Sequence, residues 1–440
     1  MTKDKINKQG NTKANDQVKE LLVIAFLVTS YIVRVPVLTL AAFVVACCLV
    51  LFSGYEKALY YLAFFTSFSG IFVYNGKHMF FVMAALVILK SLISNRIKRS
   101  TFLFYLAICI YSMLFCDYQR GFSFAQMIGI ILLFVIPVVA NSSGMIDCRV
   151  FIQHYIFGFV IATFIGFFAK SIPSMYQLFE IDLMWTGNYQ EITRFFGLAF
   201  DSNFYALSNY ILIAYLLYGF DKIDLFRGGL VLFLLITGIM TISKSYFLIA
   251  CVLIVLYVVK SAPKLRHMIA FAVVAVLGIG IFEAVSNALG YDALDLITSR
   301  FVKGGGFADN TTGRVEIWKS YINLFNTSGV KKALFGFGFN ARVVHAAHNT
   351  FIEFVYYYGL AGLLLWGAYF SHCLDLFREN MVSFEHKTPM VCICLVAGVS
   401  FLSAYTYEAF WIGIVIGMMT LGKKKNGKGG NYVQHNSANI

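Results

Sequence analysis

The fold of this chain is decided by TTGRVEIWKSYINLF (residues 311–325), LFGFGFNARVV (334–344) and HAAHNTFIEFVYYYGLAGLLL (345–365). Here a polar segment with arginine and histidine side chains runs directly into a long apolar helix. Nearly all of the remaining chain is apolar, so this is where water and ionisable groups meet. Because ionisable groups at the mouth of a membrane helix are costly to keep, they mark a candidate functional site.

The composition is typical of a membrane protein. The 440 residues are 59% hydrophobic and only 13% charged, whereas a soluble domain is about 25% charged. Apolar runs of about 15–20 residues recur from Leu21 to Leu421, and such runs cross a hydrocarbon core of ~30 Å. We therefore predict an all-α, polytopic integral membrane protein with about 12–14 transmembrane helices.

The apolar runs predict one transmembrane domain between two polar tails. We predict helices at about residues 20–34, 36–53, 57–74, 78–94, 101–116, 123–140, 151–172, 202–220, 228–242, 245–260, 268–288, 349–377, 388–404 and 408–421. No small-residue cleavage site follows the first run, which indicates an uncleaved helix. The expected organisation is a basic cytoplasmic tail at 1–20, a single transmembrane domain at 21–422 and a disordered cytoplasmic tail at 423–440.

Positive charge predicts the orientation of the helices. Lysine and arginine cluster in both tails and near residues 90–99 and 260–267, and placing these clusters in the cytoplasm makes the helices alternate without conflict. We attribute the net charge of +13 mainly to this anchoring, not to nucleic-acid binding. Loops 173–201 and 289–348 then lie outside. The basic second loop predicts an anionic ligand there, such as a diphosphate.

The second outer loop contains a predicted surface helix. Apolar residues recur at helical spacing on one face: Val315, Trp318, Ile322 and Phe325. Thr311 or Thr312 is the expected N-cap. We expect this helix to lie along the outer membrane surface, with Trp318 and Tyr321 near the lipid headgroups.

The next candidate residues lie where the outer loop meets the following helix. Asn349 and Glu353 share one helical face with Tyr356 or Tyr357, because residues four apart are neighbours on a helix. That polar face is suited to line a cavity beside His348. In the alternative interpretation, Asn349 only caps the helix and His348 is merely interfacial.

Two arginines in the outer loops are candidate phosphate ligands. Arg314 heads the predicted surface helix, and a guanidinium presents a planar set of donors that matches phosphate oxygens. Arg194 precedes the helix that Asp201 is expected to cap. The alternatives are surface ion pairs, with Asp309 or Glu316 for Arg314 and with Asp201 for Arg194.

Cofactor motifs are scarce in this sequence. HAAH at 345–348 has the spacing of two metal ligands, but no cysteine or tight acidic cluster lies near it in sequence. There is no GxxxxGK[ST] nucleotide loop. The nine cysteines lie in or beside apolar runs, which indicates packing rather than disulfides. We predict no metal and no cofactor, so the energy for chemistry outside must come from an already activated donor.

A series of short motifs resembles the O-antigen ligase and O-antigen polymerase family of bacterial membrane proteins. In order, they are RFFGLAFDSNFYAL (194–207), ISKSYFL (242–248), TGRVEIW (312–318), LFGFGF (334–339) and HNTFIEFVYYYGLAGLLL (348–365). Their order and spacing match the family over roughly residues 190–370. One departure is Lys244, where the family commonly has arginine.

The resemblance implies transfer of a glycan from a polyprenyl-diphosphate carrier at the outer face of the bacterial inner membrane. It implies a fold like that of the C-type membrane glycosyltransferases. Arg194 and Arg314 match the family's loop arginines, expected to contact diphosphate or glycan, and His348 matches the histidine expected at the reaction centre. The further substrate-binding residues that we predict are Arg300, Arg342, Asn349, Glu353, Trp318 and Asn203. Expected partners are membrane lipid, a flippase and a chain-length regulator.

Three functions remain open from the sequence. A polymerase joins two carrier-linked repeat units and must manage two diphosphates, which the many basic residues of the outer loops favour. A ligase moves a finished glycan to a lipid or protein acceptor. A flippase for lipid-linked glycans would carry charge along a central pathway and usually internal symmetry.

Overall fold

The computed structural model describes nine stretches of the chain and two isolated residues. These are residues 3–116, 124–178, 183–185, 191–199, 201–220, 223–261, 280, 313–339, 341, 346–380 and 388–421. The predicted helix at 268–288 lies outside the described residues, apart from residue 280. Residues 289–312 of the second predicted outer loop and the tail after residue 421 lie outside them as well.

The described elements are almost all helices. They are α1 Lys3–Val33, α2 Pro36–Phe52, α3 Tyr55–Thr66, α4 Phe80–Ile93, α5 Arg99–Leu114, α6 Phe124–Ser142, α7 Cys148–Phe168, α8 Pro173–Tyr176, α9 Ser202–Tyr218, α10 Leu225–Ile239, α11 Lys244–Ser261, α12 Arg314–Thr327, α13 Gly329–Phe335, α14 Thr350–Asn380, α15 Met390–Val399 and α16 Glu408–Leu421. The strands are β1 Val73–Tyr74, β2 Lys77–His78, β3 Leu183–Trp185 and β4 Glu191–Thr193, paired as two antiparallel hairpins.

The outer surface of the helices is apolar. Two helices, α7 and α14, are long and apolar enough to cross a membrane by length and composition, and shorter apolar helices accompany them. Side chains such as Leu22 (64% exposed), Leu103 (62%) and Val259 (67%) point away from the protein. Soluble proteins rarely expose apolar surface over so many elements, so the fold is that of an all-α integral membrane protein.

One predicted helix is interrupted by a hairpin. The prediction of a helix at 57–74 is wrong in its second half, because α3 ends at Thr66 and a β-hairpin follows. Asn75 (φ +49°) and Gly76 (φ +71°) form the two-residue turn between β1 and β2. Asn-Gly between short strands is the sequence signal for such a turn, since both positions need a positive φ.

Helix α9 forms the centre of the half of the protein that carries the candidate site. It packs against α10, α11, α15 and α16. Every residue from Phe204 to Tyr218 is buried. A helix that is apolar on all sides is buried on all sides. The start of α9 at Ser202 is therefore held firmly in the protein, directly after the segment that carries Arg194.

Candidate functional site

The loop that begins at Arg194 is held against the turn between α10 and α11. The Arg194 side chain is only 5% exposed, and its Nε donates to the Thr241 carbonyl at 2.8 Å. Three residues later, Gly197 has a φ of +61° and lies on Tyr205, where an added Cβ would come within 2.6 Å of the ring. Only glycine fits this backbone, which explains the glycine of the RFFG motif.

The start of α9 completes the anchor of Arg194. Asp201 caps the helix as predicted, because its carboxylate accepts from the backbone N–H of Asn203 at 2.5 Å. The Asn203 side-chain oxygen accepts from Arg194 Nη2 at 3.1 Å and from the Ser243 hydroxyl at 2.8 Å. Asn203, a predicted substrate contact, therefore joins the first outer loop to the turn before α11.

Helix α12 carries Arg314 at its first residue. Its N-cap is Gly313, with a φ of +74°, and not Thr311 or Thr312, both of which lie outside the described residues. The Trp318 indole N–H donates to the Ala347 carbonyl at 2.8 Å. Trp318 therefore holds the first turn of α12 against the segment that leads into α14.

Tyr321 of α12 lies inside the protein. It was expected among the lipid headgroups but is only 5% exposed, whereas the neighbouring Ile322 is 56% exposed. The Tyr321 ring meets Tyr356 edge-on, with centroids 5.1 Å apart. The bond of Trp318 and the packing of Tyr321 turn Arg314 toward the protein, since residues 314, 318 and 321 share one helical stripe.

His348 has a backbone conformation that few side chains adopt. Its φ is +48°, in the left-handed region that is uncommon for residues other than glycine. The backbone N–H of His348 donates to the Ser403 hydroxyl at 3.0 Å, and this hydroxyl donates to Glu353 Oε1 at 2.5 Å. The Glu353 carboxylate is buried and also accepts from the Ala347 backbone. One buried carboxylate thus supports the backbone at both Ala347 and His348.

The first turn of α14 is fixed by two further polar side chains. The Asn349 side-chain oxygen accepts from the backbone N–H of Ile352 at 3.1 Å, so its capping role is observed. The Thr350 hydroxyl donates to the Leu402 carbonyl at 2.6 Å and accepts from the Ala404 N–H at 3.0 Å. The connection between α15 and α16, which contains Ser403, is therefore bound to the start of α14.

The two glycine motifs meet at a break in α14. Gly359 has φ +62° and ψ −170°, which interrupts the helix. The backbone N–H groups of Phe337 and Gly338 donate to the carbonyls of Tyr356 and Tyr357 at 2.8 and 3.2 Å. A broken helix in a membrane needs new partners for its carbonyls, and the LFGFGF segment supplies them.

Close approach explains the glycines in both motifs. A Cβ on Gly359 would lie 2.3 Å from the Gly336 nitrogen, and a Cβ on Gly336 would lie 2.4 Å from the Tyr357 carbonyl oxygen. Such contacts are too short for any side chain. The Phe337 ring stacks on Tyr356 at 4.6 Å, which links the broken helix to the aromatic side of α12.

Electrostatics show that the charged groups form one cluster. Burial lowers the pKa of the Arg314 guanidinium; the charge of Asp201 opposes this shift and the charge of Arg194 adds to it. Partial burial also lowers the pKa of His348 below its ordinary 6.5; Arg314 lowers it further and Asp201 raises it. His348, Arg314, Asp201 and Arg194 therefore lie within electrostatic reach of one another.

The structure brings together seven of the nine predicted site residues. These are His348, Arg314, Arg194, Asn349, Glu353, Trp318 and Asn203. Arg300 and Arg342 lie outside the described residues. Asp201, Ser243 and Ser403 were not predicted as site residues. Asp201 could have been found from its position between Arg194 and the start of α9. No sequence signal marks Ser403, which is 55 positions away from His348.

Comparison with known families agrees with these motifs. The model of a family described as O-antigen ligase matches residues 229–367, about a third of the chain. This range contains ISKSYFL, TGRVEIW, LFGFGF and the whole HN motif, while RFFGLAFDSNFYAL precedes it. No curated protein and no solved structure matches the chain.

The match confirms the resemblance to the O-antigen polymerase/ligase family that the motifs predicted. Members of this family are glycosyltransferase-like enzymes that act on lipid-linked glycans. With the apolar helices, the match indicates an integral membrane protein of polysaccharide biosynthesis. The family does not distinguish a polymerase from a ligase.

Proposed function

We propose that this protein joins polyprenyl-diphosphate-linked oligosaccharide repeat units into a surface polysaccharide at the outer face of the plasma membrane. The observation that carries the proposal is the cluster of His348, Arg314, Arg194 and Asp201, in which each charge affects its neighbours. A base and two guanidinium groups at one place match the two needs of glycan transfer from a diphosphate.

The first need is a base for the acceptor. The acceptor hydroxyl attacks the anomeric carbon of the donor sugar, and its proton passes to His348. A histidine with a lowered pKa is neutral at pH 7, so it is ready to accept that proton.

The second need is a stable leaving group. As the bond between the anomeric carbon and the diphosphate oxygen breaks, negative charge grows on the polyprenyl diphosphate. Arg314 receives that charge directly, and Arg194 supports it from its buried position. Arg300 and Arg342 are proposed as additional diphosphate contacts. No metal or nucleotide enters this proposal.

The remaining residues of the cluster act by holding the reacting groups in place. Trp318 orients the helix of Arg314, Asn203 orients Arg194, and Glu353 with Asn349 orients the segment of His348. These positioning roles are supported by the hydrogen bonds of each side chain to protein atoms.

The proposed topology places both termini in the cytoplasm. In this topology one domain at 21–422 contains about 12–14 membrane-spanning helices, and loops 173–201 and 289–348 lie outside. The proposed architecture is like that of the C-type glycosyltransferases. A flippase supplies the donor to this side of the membrane, and a chain-length regulator acts on the product.

Polymerisation is favoured over ligation because the outer side carries more basic residues than one diphosphate needs. Beside Arg194 and Arg314, α13 presents the exposed Lys331 and Lys332, which are suited to attract a second diphosphate.

The test is the size of the glycan that accumulates on the carrier lipid in a strain lacking this protein. A single repeat unit outside the membrane supports a polymerase. Full-length polymer stranded on the carrier means a ligase. Repeat units trapped on the cytoplasmic face mean a flippase. Complementation with stably expressed His348→Ala should fail. If it restores the wild-type polymer, the role of His348 is wrong.

A further inference from the structure

A cavity with both polar and apolar walls lies beside the charged cluster, at the same end of the helices. Its volume is about 50 Å³, and its walls come from the end of α3, from α7, from the loop after Arg194, from the start of α9 and from the start of α16. Leu198 and Ala199 of the Arg194 loop belong to its lining. Tyr407, another lining residue, is within electrostatic reach of Asp201, Glu353 and Glu408.

The cavity contains groups that need hydrogen-bonding partners. The Glu408 carboxylate faces the Ser69 hydroxyl and its own backbone N–H, and Ser208 also lines the space. The buried Ser67 hydroxyl has no hydrogen-bond partner among the described residues. Polar groups inside a membrane protein are expensive unless they are satisfied. A space of this size exceeds the ~10–15 Å³ that one water needs, so water or hydroxyl groups of a ligand can fill it.

Aromatic rings form the other part of the wall. Tyr407 and Phe204 stack with their ring centroids 3.8 Å apart. Phe204 directly follows Asn203, the residue that holds Arg194. The cavity and the charged cluster therefore share the first turn of α9, and a ligand in one would reach into the other.

The chemistry of the wall selects among the parts of a lipid-linked glycan. A diphosphate would meet no lysine or arginine among the described residues that line the cavity. A polyprenyl chain would leave the carboxylate and the serine hydroxyls without partners. A sugar satisfies both kinds of wall, because its hydroxyls bind carboxylate and serine oxygens and its C–H face rests on the negative face of an aromatic ring.

We propose that this cavity is a glycan subsite, which takes the hydroxyl-bearing edge of one sugar next to the reacting bond. The volume suits one substituent-bearing edge of a sugar ring and not a whole ring. The subsite rests on the proposed glycan transfer, and it adds a sugar-recognition element that is separate from the diphosphate contacts at Arg314. Glu408 is the central hydrogen-bond acceptor, and Tyr407 with Phe204 forms the apolar side.

The experiment measures two kinds of binding to the purified full-length protein in nanodiscs. One probe is the oligosaccharide released by mild acid from the carrier lipid of the deletion strain. The other is inorganic pyrophosphate. Glu408→Ala should weaken oligosaccharide binding by about tenfold, because the main hydrogen-bonding group of the cavity is lost, and should leave pyrophosphate binding unchanged. Arg314→Gln should do the opposite.

Two further variants make the result decisive. Ala162→Met fills the cavity while Glu408 stays in place, and it should also weaken oligosaccharide binding. Glu379→Ala removes an exposed carboxylate that pairs with Lys98, and neither residue lines the cavity. This variant should bind both probes like the wild type. Folding of each variant is checked by its thermal unfolding in the same nanodiscs.

The outcomes separate the subsite from the proposed function. If Glu408→Ala and Ala162→Met are folded and bind the oligosaccharide like the wild type, the subsite is wrong even if glycan transfer is normal. If the wild type does not bind the oligosaccharide, the subsite is likewise wrong. If the wild type binds it in a Glu408-dependent manner but transfers no glycan, the subsite stands and the proposed function fails.

Discussion

Replacing Ser403 by alanine should slow glycan transfer while leaving the protein folded. The Ser403 hydroxyl accepts the backbone N–H of His348 at 3.0 Å and donates to Glu353 at 2.5 Å. Alanine leaves the N–H and one oxygen of a buried carboxylate without these partners. His348 then has less to hold it at a φ of +48°.

The magnitude follows from the bonds that are lost. A hydrogen bond to a charged group contributes about 1.5–3 kcal/mol, and a non-glycine residue in a sparsely populated backbone region costs about 1–3 kcal/mol. The two quantities are similar, so the segment of His348 can relax when the bonds are removed. If the lost hydrogen bonds stabilise the transition state by this free energy, the rate falls roughly ten- to hundredfold, since ~1.4 kcal/mol is a factor of ten.

The assay is transfer of glycan by the purified protein at saturating lipid-linked donor, with thermal unfolding measured in parallel. Ser403→Thr keeps the hydroxyl and should retain most of the rate. Ser400→Ala is the matched control, because its hydroxyl bonds only the Val396 carbonyl of its own helix, at 2.8 Å. If Ser403→Ala is as active as Ser400→Ala and equally stable, His348 is not positioned by this network.

Three other substitutions test separate parts of the site. His348 acts as the neutral base, so its lowered pKa lets transfer persist below pH 6.5 and fall only at more acidic pH. Asp201→Asn keeps a helix cap but removes the charge that raises this pKa, so the acidic limb of the pH–rate profile should move to lower pH; an unchanged or raised limb contradicts the coupling. Gly359→Ala should cost at least about 1–3 kcal/mol and lower the unfolding temperature, whereas Gly367→Ala in the same helix, whose Cβ would meet no described atom within 4 Å, should not. Arg314→Lys should reduce transfer by roughly tenfold or more because lysine lacks the planar pair of donors; wild-type kinetics would show that one charge suffices.

Part of the site could be read from the sequence because its residues lie in local motifs. Arg314 begins a helix whose amphipathic pattern is visible, and Asp201 precedes an apolar run in the position of an N-cap. The burial of Tyr321 was missed because the apolar pattern of α12 does not show which of its residues pack against the rest of the protein. Only the bond from Trp318 to the Ala347 carbonyl and the packing of Tyr321 decide which face turns inward.

The break in α14 is a second feature that the sequence could not predict. The sequence has Gly359 inside a strongly apolar run, and glycine is tolerated within membrane helices. The break becomes stable because Phe337 and Gly338, some 20 positions earlier, donate to the freed carbonyls. No local pattern contains that pairing, since it depends on the path of the chain between α13 and α14.

By itself the sequence determined the class of protein, the apolar helices and the motifs of the family. Patterns of hydropathy and charge extend over a few turns of one helix, so they can be read from residues that are close together in the sequence. Only the tertiary structure decided that His348 is held by Ser403 and Glu353, that Asn203 joins Arg194 to α9, and that a cavity lies beside them. Those contacts join residues far apart in the chain, and their geometry follows from how the helices pack.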